Sequence, residues 1–409
     1  MSLRTSAFVL ALGAWLGCGG GTAPGPGAVN DSATLRAGST GSAKWDLWTG
    51  PTQLHGANTW QRRPQTDTGS VFPRYSAEDL RSLAAWGANY VNLSVPGPYG
   101  ERLTGRPRRY HPDSRVWQSL DSMVAWSERV GLKVVISFRT GPGRSEFVFD
   151  PSEEPKITDL WQRAEAESTW VRMWAEAATR YRGRPSVVGY DLMVEPLLGP
   201  DNPRRVPSER WYRLARRIVR AIRRVDSTTP ILVSVASGGD PEALRGLPLD
   251  SFDVYRDRLV FTIHLYAPND YVYGESADAD FECPGPSSDT PVPPGPLPPD
   301  VLRALDTMYD SIAAWKRDTG APLAVNEFGV HRWQPGAEAF LERHFERLEE
   351  LGVNHALWLW DPAKCLGWDE MNYRHGPNPR NHVDAPGNRL EAVIRRGWSG
   401  RADVGRGRS

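Results

Sequence analysis

Two glutamates each follow a short apolar run, in the place where a buried strand would end. Glu195 stands in GYDLMVEPLL and Glu327 in PLAVNEFGV. One such carboxylate is commonly an ion-pairing group on a loop. Two of them, one donating a proton while the other stays ionised, supply what acid-assisted cleavage of an acetal needs. Other polar and aromatic residues recur at similar places: His264 and Tyr266 in IHLYAP, Trp358 and Trp360 in ALWLWDP, and Arg139 in VVISFRTGPGR. His55 and Asn58 in LHGANTW and Asn92 in NYVNLSV do the same, with His55 read as structural. The chain has 17 Trp and 13 Tyr, and flat apolar faces with a polar tip suit a sugar-binding cleft as well as a core. Trp60, Tyr99, Tyr271, Tyr273, Trp333 and Trp368 are further loop aromatics able to stack on sugars. No CxxC occurs, His is scarce, and the first strand end carries a single His rather than H-x-H. No metal mechanism and no cofactor are therefore expected.

These residues need elements to position them. Eight β-like runs alternate with helical stretches: 52–58, 89–95, 132–138, 186–194, 230–236, 259–266, 322–328 and 355–360. Helical patterns such as SAEDLRSLAAWG, STWVRMWAEAATRYRG and AEAFLERHFERLEELG lie between them, several closed by a glycine. Eight strands each followed by a helix predict an α/β fold of the (β/α)₈ TIM-barrel type. A doubly wound open sheet is the alternative, but no glycine-rich dinucleotide fingerprint follows the first strand. In a barrel, the loops after the strands converge on one face, so Glu195 and Glu327 would face each other across its mouth.

The expected organisation is a signal peptide over 1–18, a flexible Gly/Ser/Pro linker over 19–43, the barrel over 44–398 and a disordered tail over 399–409. The Pro-rich segment 284–299 is an insertion in the loop after strand six. The first residues carry Arg4, an apolar run from Ala7 to Leu16 and small residues around Cys18, the plan of an export signal too short for a stable transmembrane helix. Leu16-Gly17-Cys18 resembles the lipobox of bacterial lipoproteins, with Trp15 departing from it, so Cys18 is a lipidation candidate. Export to a bacterial envelope or the medium is expected, with membrane contact only through that anchor. Cys283 and Cys365 border the loops after strands six and eight, on one face, and form either a disulfide or two thiols. With 49 basic and 49 acidic residues, no domain is basic enough to imply nucleic acid. The arginines between Arg204 and Val225 alternate with apolar residues at helical spacing. They read as the wet face of a helix, with a patch for an anionic partner as the alternative.

From Trp45 to Trp398 the sequence resembles the retaining glycosidase clan built on (β/α)₈ barrels, and within it glycoside hydrolase family 5, the cellulase-like family. GYDLMVEP, IHLYAP, VNEFGV and ALWLWDP carry the resemblance. It implies that Glu195 is the acid/base and Glu327 the nucleophile. It further implies that Tyr266 bonds Glu327, that His264 lies near Glu195, and that Trp358 floors the subsite of the attacked sugar, with Trp360 the weaker candidate. The implied substrate is a β-linked glucan, mannan or related glycoconjugate, and the chain is expected to be monomeric. Three departures stand out. Val194 replaces the family's Asn before the acid/base, Asn92 stands where an Arg supports the nucleophile, and Arg139 replaces a His. Arg139, one strand over, would compensate by reaching Glu327. The alternatives are a surface carbohydrate-binding protein that has lost its rate, and a transglycosylase.

Overall fold

The computed structural model describes residues 43–63, 71–101, 110–150, 152–153, 156–197, 208–274, 294–362 and 369–399. Cys18, Cys283, Cys365, Trp368 and most of the Pro-rich segment lie outside these. The eight expected strands are present: β1 His55–Trp60, β2 Tyr90–Pro96, β3 Lys133–Thr140, β4 Val187–Asp191, β5 Ile231–Ser234, β6 Leu259–Leu265, β7 Leu323–Phe328 and β8 Asn354–Leu357. Neighbours pair in parallel, and β1 pairs with β8, so the sheet closes into a barrel.

Helices alternate with the strands: α1 Ala43–Thr49, α2 Ala77–Ala85, α3 Ser114–Arg129, α4 Ala164–Tyr181, α5 Ser208–Arg223, the short α6 Asn269–Val272, α7 Pro299–Thr319, α8 Ala337–Glu350 and α9 Arg389–Ser399. Their limits follow from capping. Ser76 and Asp79 form a reciprocal box at the start of α2, and Gly320 ends α7 in the left-handed conformation. Helix α5 buries Trp211, Leu214, Ile218, Val219 and Ile222, while Arg217 bonds Glu167 and Arg216 bonds Ser251, the wet-face arrangement. A two-stranded ribbon, Tyr99–Glu101 against Tyr110–Pro112, follows β2 and was not anticipated.

The barrel interior is layered because strand side chains alternate sides with a period of two. At the N-terminal end, Tyr90, Val135, Val188, Leu232, Val260, Ala324 and Ala356 form an apolar plug with Leu54, closed by Trp48 of α1, whose indole donates to the Val188 carbonyl at 2.8 Å. Two residues on, the same strands give Asn92 from Tyr90, Ser137 from Val135 and Asn326 from Ala324, a buried polar layer. The next step along β3 and β6 reaches Arg139 and His264, at the mouth.

Candidate active site

His264 and Glu327 meet because β6 and β7 are neighbours. A register shift between Ile263 and His264 sets His264 opposite Glu327, and such irregularities re-aim side chains. Tyr266 donates to Glu327 Oε2 at 2.9 Å. His264 Nδ1 lies 3.0 Å from Glu195 Oε1 and 3.4 Å from Glu327 Oε2. The imidazole is seated against the backbone of Gly239, where a Cβ would stand 3.0 Å from the ring and where φ is +83°. Only glycine allows both.

Glu195 reaches this cluster from an irregular segment. Strand β4 stops at Asp191, short of the expected 194, because the chain then splits its bonds between two neighbours. Leu192 N–H donates to the Leu232 carbonyl at 3.1 Å and Val194 N–H to the Phe138 carbonyl at 3.1 Å. Glu195 itself has φ +44°, one of two non-glycine residues with positive φ among those described. Val194 is buried at 2% exposure.

The three groups share charge. Burial opposes a proton on His264, but the carboxylates of Glu327, Glu195 and Asp191 outweigh it and raise its pKa to about 9. Burial pushes Glu327 up to about 7 against the pull of His264, Arg139 and the Tyr266 hydroxyl. The Glu327 side chain is only 5% exposed, so it loses most of the hydration that would favour the charge.

Two cavities meet over the carboxylates. A small one of about 160 Å³ is lined by Arg139, Phe149, Glu195, Tyr266, Glu327 and Trp358, among others. A cleft of about 1190 Å³ shares Glu195, Leu197, Tyr266 and Tyr273 with it and continues past His264 over β5 and β6 to Met308 and Trp315 of α7. Trp358 is thus a wall of the small cavity, with the Arg139 guanidinium 5.2 Å from its ring centre.

The donor atoms of Glu195, His264 and Glu327 all lie within 4.8 Å of one another. An oxygen of the Glu195 carboxylate thus comes within 4.8 Å of one of Glu327. The family model for Cellulase (glycosyl hydrolase family 5) matches residues 46–364. The chain belongs to that family. Endoglucanase C of Acetivibrio thermocellus is 24% identical over 210 residues, 51% of this chain and 55% of that protein. The chain thus spans about half the length of the curated relatives it matches. Among solved structures, Thermotoga maritima Cel5A in complex with cellobiose superposes with TM-score 0.61 at 18% identity, covering 87% of this chain and 99% of that one. A broad-specificity endoglucanase from Clostridium acetobutylicum gives TM-score 0.62 at 14% identity, covering 87% and 99%. At these identities the likeness is one of fold.

Of the residues singled out in the sequence, the structure gathers Glu195, Glu327, His264, Tyr266, Trp358 and Arg139 at the mouth. Three others it does not. Asn58 and Asn92, expected to face substrate, are 0% and 1% exposed in the polar layer below. Asn58 donates to the Asn326 carbonyl at 2.7 Å and Asn92 to Asn58 at 2.8 Å. Ser137 bonds Asn92 at 2.6 Å and Asp191 at 2.8 Å, and Asn326 donates to Asp191 at 2.7 Å. Their amides are spent inside the barrel. Trp360 is also misplaced by the sequence reading: the chain has left the ladder after Leu357, and its indole packs edge-on to Trp86 and donates to the Asp79 carbonyl at 2.8 Å. His55 begins β1 at the opposite end from the mouth, bonded to the Gly87 carbonyl at 3.2 Å. Of the loop aromatics, Trp60, Tyr99 and Trp333 are buried and Tyr271 bonds the Pro335 carbonyl, whereas Tyr273 lines both cavities.

Arg139 meets its expectation halfway. Its hydrogen bonds go to Glu146, 3.0 Å away, rather than to Glu327, which it affects only through space. Sequence reasoning missed Glu146, which also accepts from the Trp60 indole at 3.2 Å, and Phe149, 4.1 Å from the Arg139 guanidinium. The signal was the long run between β3 and α4, too irregular in pattern to place. Glu195, His264 and Glu327 also offer the two carboxylates and one imidazole that a transition metal accepts; in the chemistry below, the place between the carboxylates is taken by a proton on His264.

Proposed function

We propose that the chain is a retaining β-glycoside hydrolase that cleaves β-linked glucan, mannan or a related β-glycoside. The observation that carries this reading is the Glu195–His264–Glu327 cluster at the barrel mouth, with its donor atoms within 4.8 Å. Glu195 gives its proton to the glycosidic oxygen while a carboxylate oxygen of Glu327 attacks the anomeric carbon. The C–O bond to the leaving group breaks and a glycosyl ester forms on Glu327. Glu195, now ionised, takes a proton from water, whose oxygen attacks the same carbon and releases Glu327. Tyr266 donates to one oxygen of Glu327, and the charge of protonated His264, hydrogen-bonded to Glu195, lies 3.4 Å from that same oxygen, leaving the other for attack. Trp358 offers a flat apolar wall for the attacked ring, and the larger cleft takes the leaving portion. Val194 cannot make the 2-hydroxyl contact that an Asn there would make, and Arg139 is the arginine that lines the small cavity.

The chain is further read as exported and lipid-anchored through Cys18, acting as a monomer on an extracellular or envelope glycan. The test is a chain starting at Ser42 incubated with β-glucans, β-mannans, xylan, glycolipids and aryl β-glycosides, beside Glu327→Ala. Release of reducing sugar or aglycone that disappears in the variant supports the reading and names the sugar. A folded wild type that retains a glycan and releases nothing overturns it in favour of a binding protein.

A further inference from the structure

The sequence GPGR, Gly141 to Arg144, follows β3 directly and folds into a tight turn. Gly141 N–H donates to the Arg144 carbonyl at 2.8 Å, and Arg144 N–H returns the bond at 2.9 Å. Gly143 has φ +71°, and a Cβ there would stand 2.7 Å from the backbone of Leu160. The Trp170 indole of α4 fixes the turn by donating to the Pro142 carbonyl at 2.9 Å.

The turn sends the Arg144 side chain back into the protein, where it is 2% exposed. One terminal nitrogen donates to the carbonyls of Arg139 and Val194, both at 2.7 Å, and the other to the carbonyl of Glu195. The guanidinium lies over Phe149, 4.9 Å from its ring centre. The planar fork of arginine spans two chain segments in a fixed geometry, which a single lysine nitrogen cannot do. Glu195 needs such a hold. A left-handed backbone at a residue with a side chain persists only where its surroundings enforce it, and Val194 and Glu195 lie beyond the end of β4.

We propose that Arg144 is a positioning residue for proton transfer. Gripping the main-chain carbonyls of Val194 and Glu195 from the end of β3, it holds Glu195 in its left-handed conformation, with the carboxyl on His264 and in line with the leaving oxygen. The inference rests on Glu195 being the acid/base. Arg144 touches no reacting atom, and it makes no bond to Glu327, which is held from β6. Its loss therefore weakens protonation of the leaving group and leaves nucleophilic attack largely intact.

The experiment compares Arg144→Met and Arg144→Lys with wild type in the full chain. Two β-glycosides of the preferred sugar are used, one with an activated dinitrophenyl leaving group and one with an unactivated alkyl group. In Arg144→Met, kcat/KM is expected to fall at least a hundredfold for the alkyl glycoside and less than tenfold for the dinitrophenyl one. Azide is expected to accelerate turnover of the latter and yield the glycosyl azide. Arg144→Lys, which keeps the buried cation and guards against a misfolded Met variant, lies between. Equal losses for both leaving groups, or both variants within threefold of wild type, overturn the proposal. A crystal structure of Arg144→Lys decides it independently of turnover. The Glu195 carboxyl is expected to leave hydrogen-bond distance of His264, and its retention at the 3.0 Å seen here refutes the clamp. A wild type that turns over neither glycoside fails the hydrolase reading instead, while the crystal structure still settles the clamp.

Discussion

Replacing His264 by Gln removes the one cation between the two carboxylates. The imidazole stands 3.0 Å from Glu195 and 3.4 Å from Glu327, and its side chain is 3% exposed. At 3.4 Å a full ion pair is worth about 5 kcal/mol with an effective dielectric constant near 20. Since 1.36 kcal/mol corresponds to one pKa unit, losing all of it would raise Glu327 by about 3.5 units. The Gln amide returns part as a neutral hydrogen bond, leaving an expected rise of roughly one to two units. The sign is fixed by the chemistry: the free enzyme needs Glu327 ionised, protonated His264 favours that ionisation, and its removal moves the acidic limb of kcat/KM to higher pH. With Glu327 already near 7 in the wild type, the variant's limb lies above neutrality and its activity at pH 6 collapses more than its activity at pH 8. The assay is a kcat/KM profile from pH 4 to 10 on the substrate found by the panel, with thermal melting to show that both proteins are folded. An acidic limb that stays within a few tenths of a unit refutes the claim that His264 carries a proton beside Glu327.

Tyr266→Phe removes a hydroxyl donor 2.9 Å from Glu327 and leaves the ring. A hydrogen bond to a charged group is worth about 1.5 to 3 kcal/mol, so kcat/KM falls roughly ten- to a hundredfold while thermal stability changes little. An unchanged rate would separate Tyr266 from the nucleophile. Asp191→Leu breaks the interior polar layer, stranding the Asn326 amide and leaving the Ser137 hydroxyl only Asn92 as acceptor. Its expected cost is about 3 kcal/mol or more, read as a shift in urea midpoint, with Asp191→Asn milder. Buried His344 and His355 have their pKa lowered to about 3 by desolvation. The unfolded chain takes up these protons first, near 6.5, so stability falls as pH drops from about 6.5 toward 3. At pH 4.5 the pair contributes a loss on the order of 5 kcal/mol, and His355→Phe is expected to remove about half of that contribution. Identical pH dependence in that variant would place the acid sensitivity elsewhere.

Much of this was legible in the sequence, for a physical reason. Buried parallel strands are apolar runs, and their ends are where polar residues stop being costly, so Glu195, His264, Tyr266 and Glu327 announced themselves. What period-two alternation alone does not reveal is depth. Asn58 and Asn92 share the barrel-facing parity of mouth residues but lie one layer down, where their amides bond each other. Trp360 misled because the chain leaves the ladder after Leu357 and no longer obeys strand parity. Arg144 was invisible because its role depends on three carbonyls brought together by a turn, and carbonyls are the same in every residue.

The two cavities that meet at Glu195 give the proposed reaction an order in time. On the proposed mechanism, once the glycosyl ester has formed one half of the substrate would be tethered in the small cavity and the other held only by the cleft. Water that reaches the ester enters through space the departed half has just vacated. The fate of the intermediate is then a partition ratio set by how fast that space empties and by what refills it. A concentrated sugar alcohol in the cleft would compete with water for the same carbon, and the ratio of the two products would rise with occupancy of the cleft.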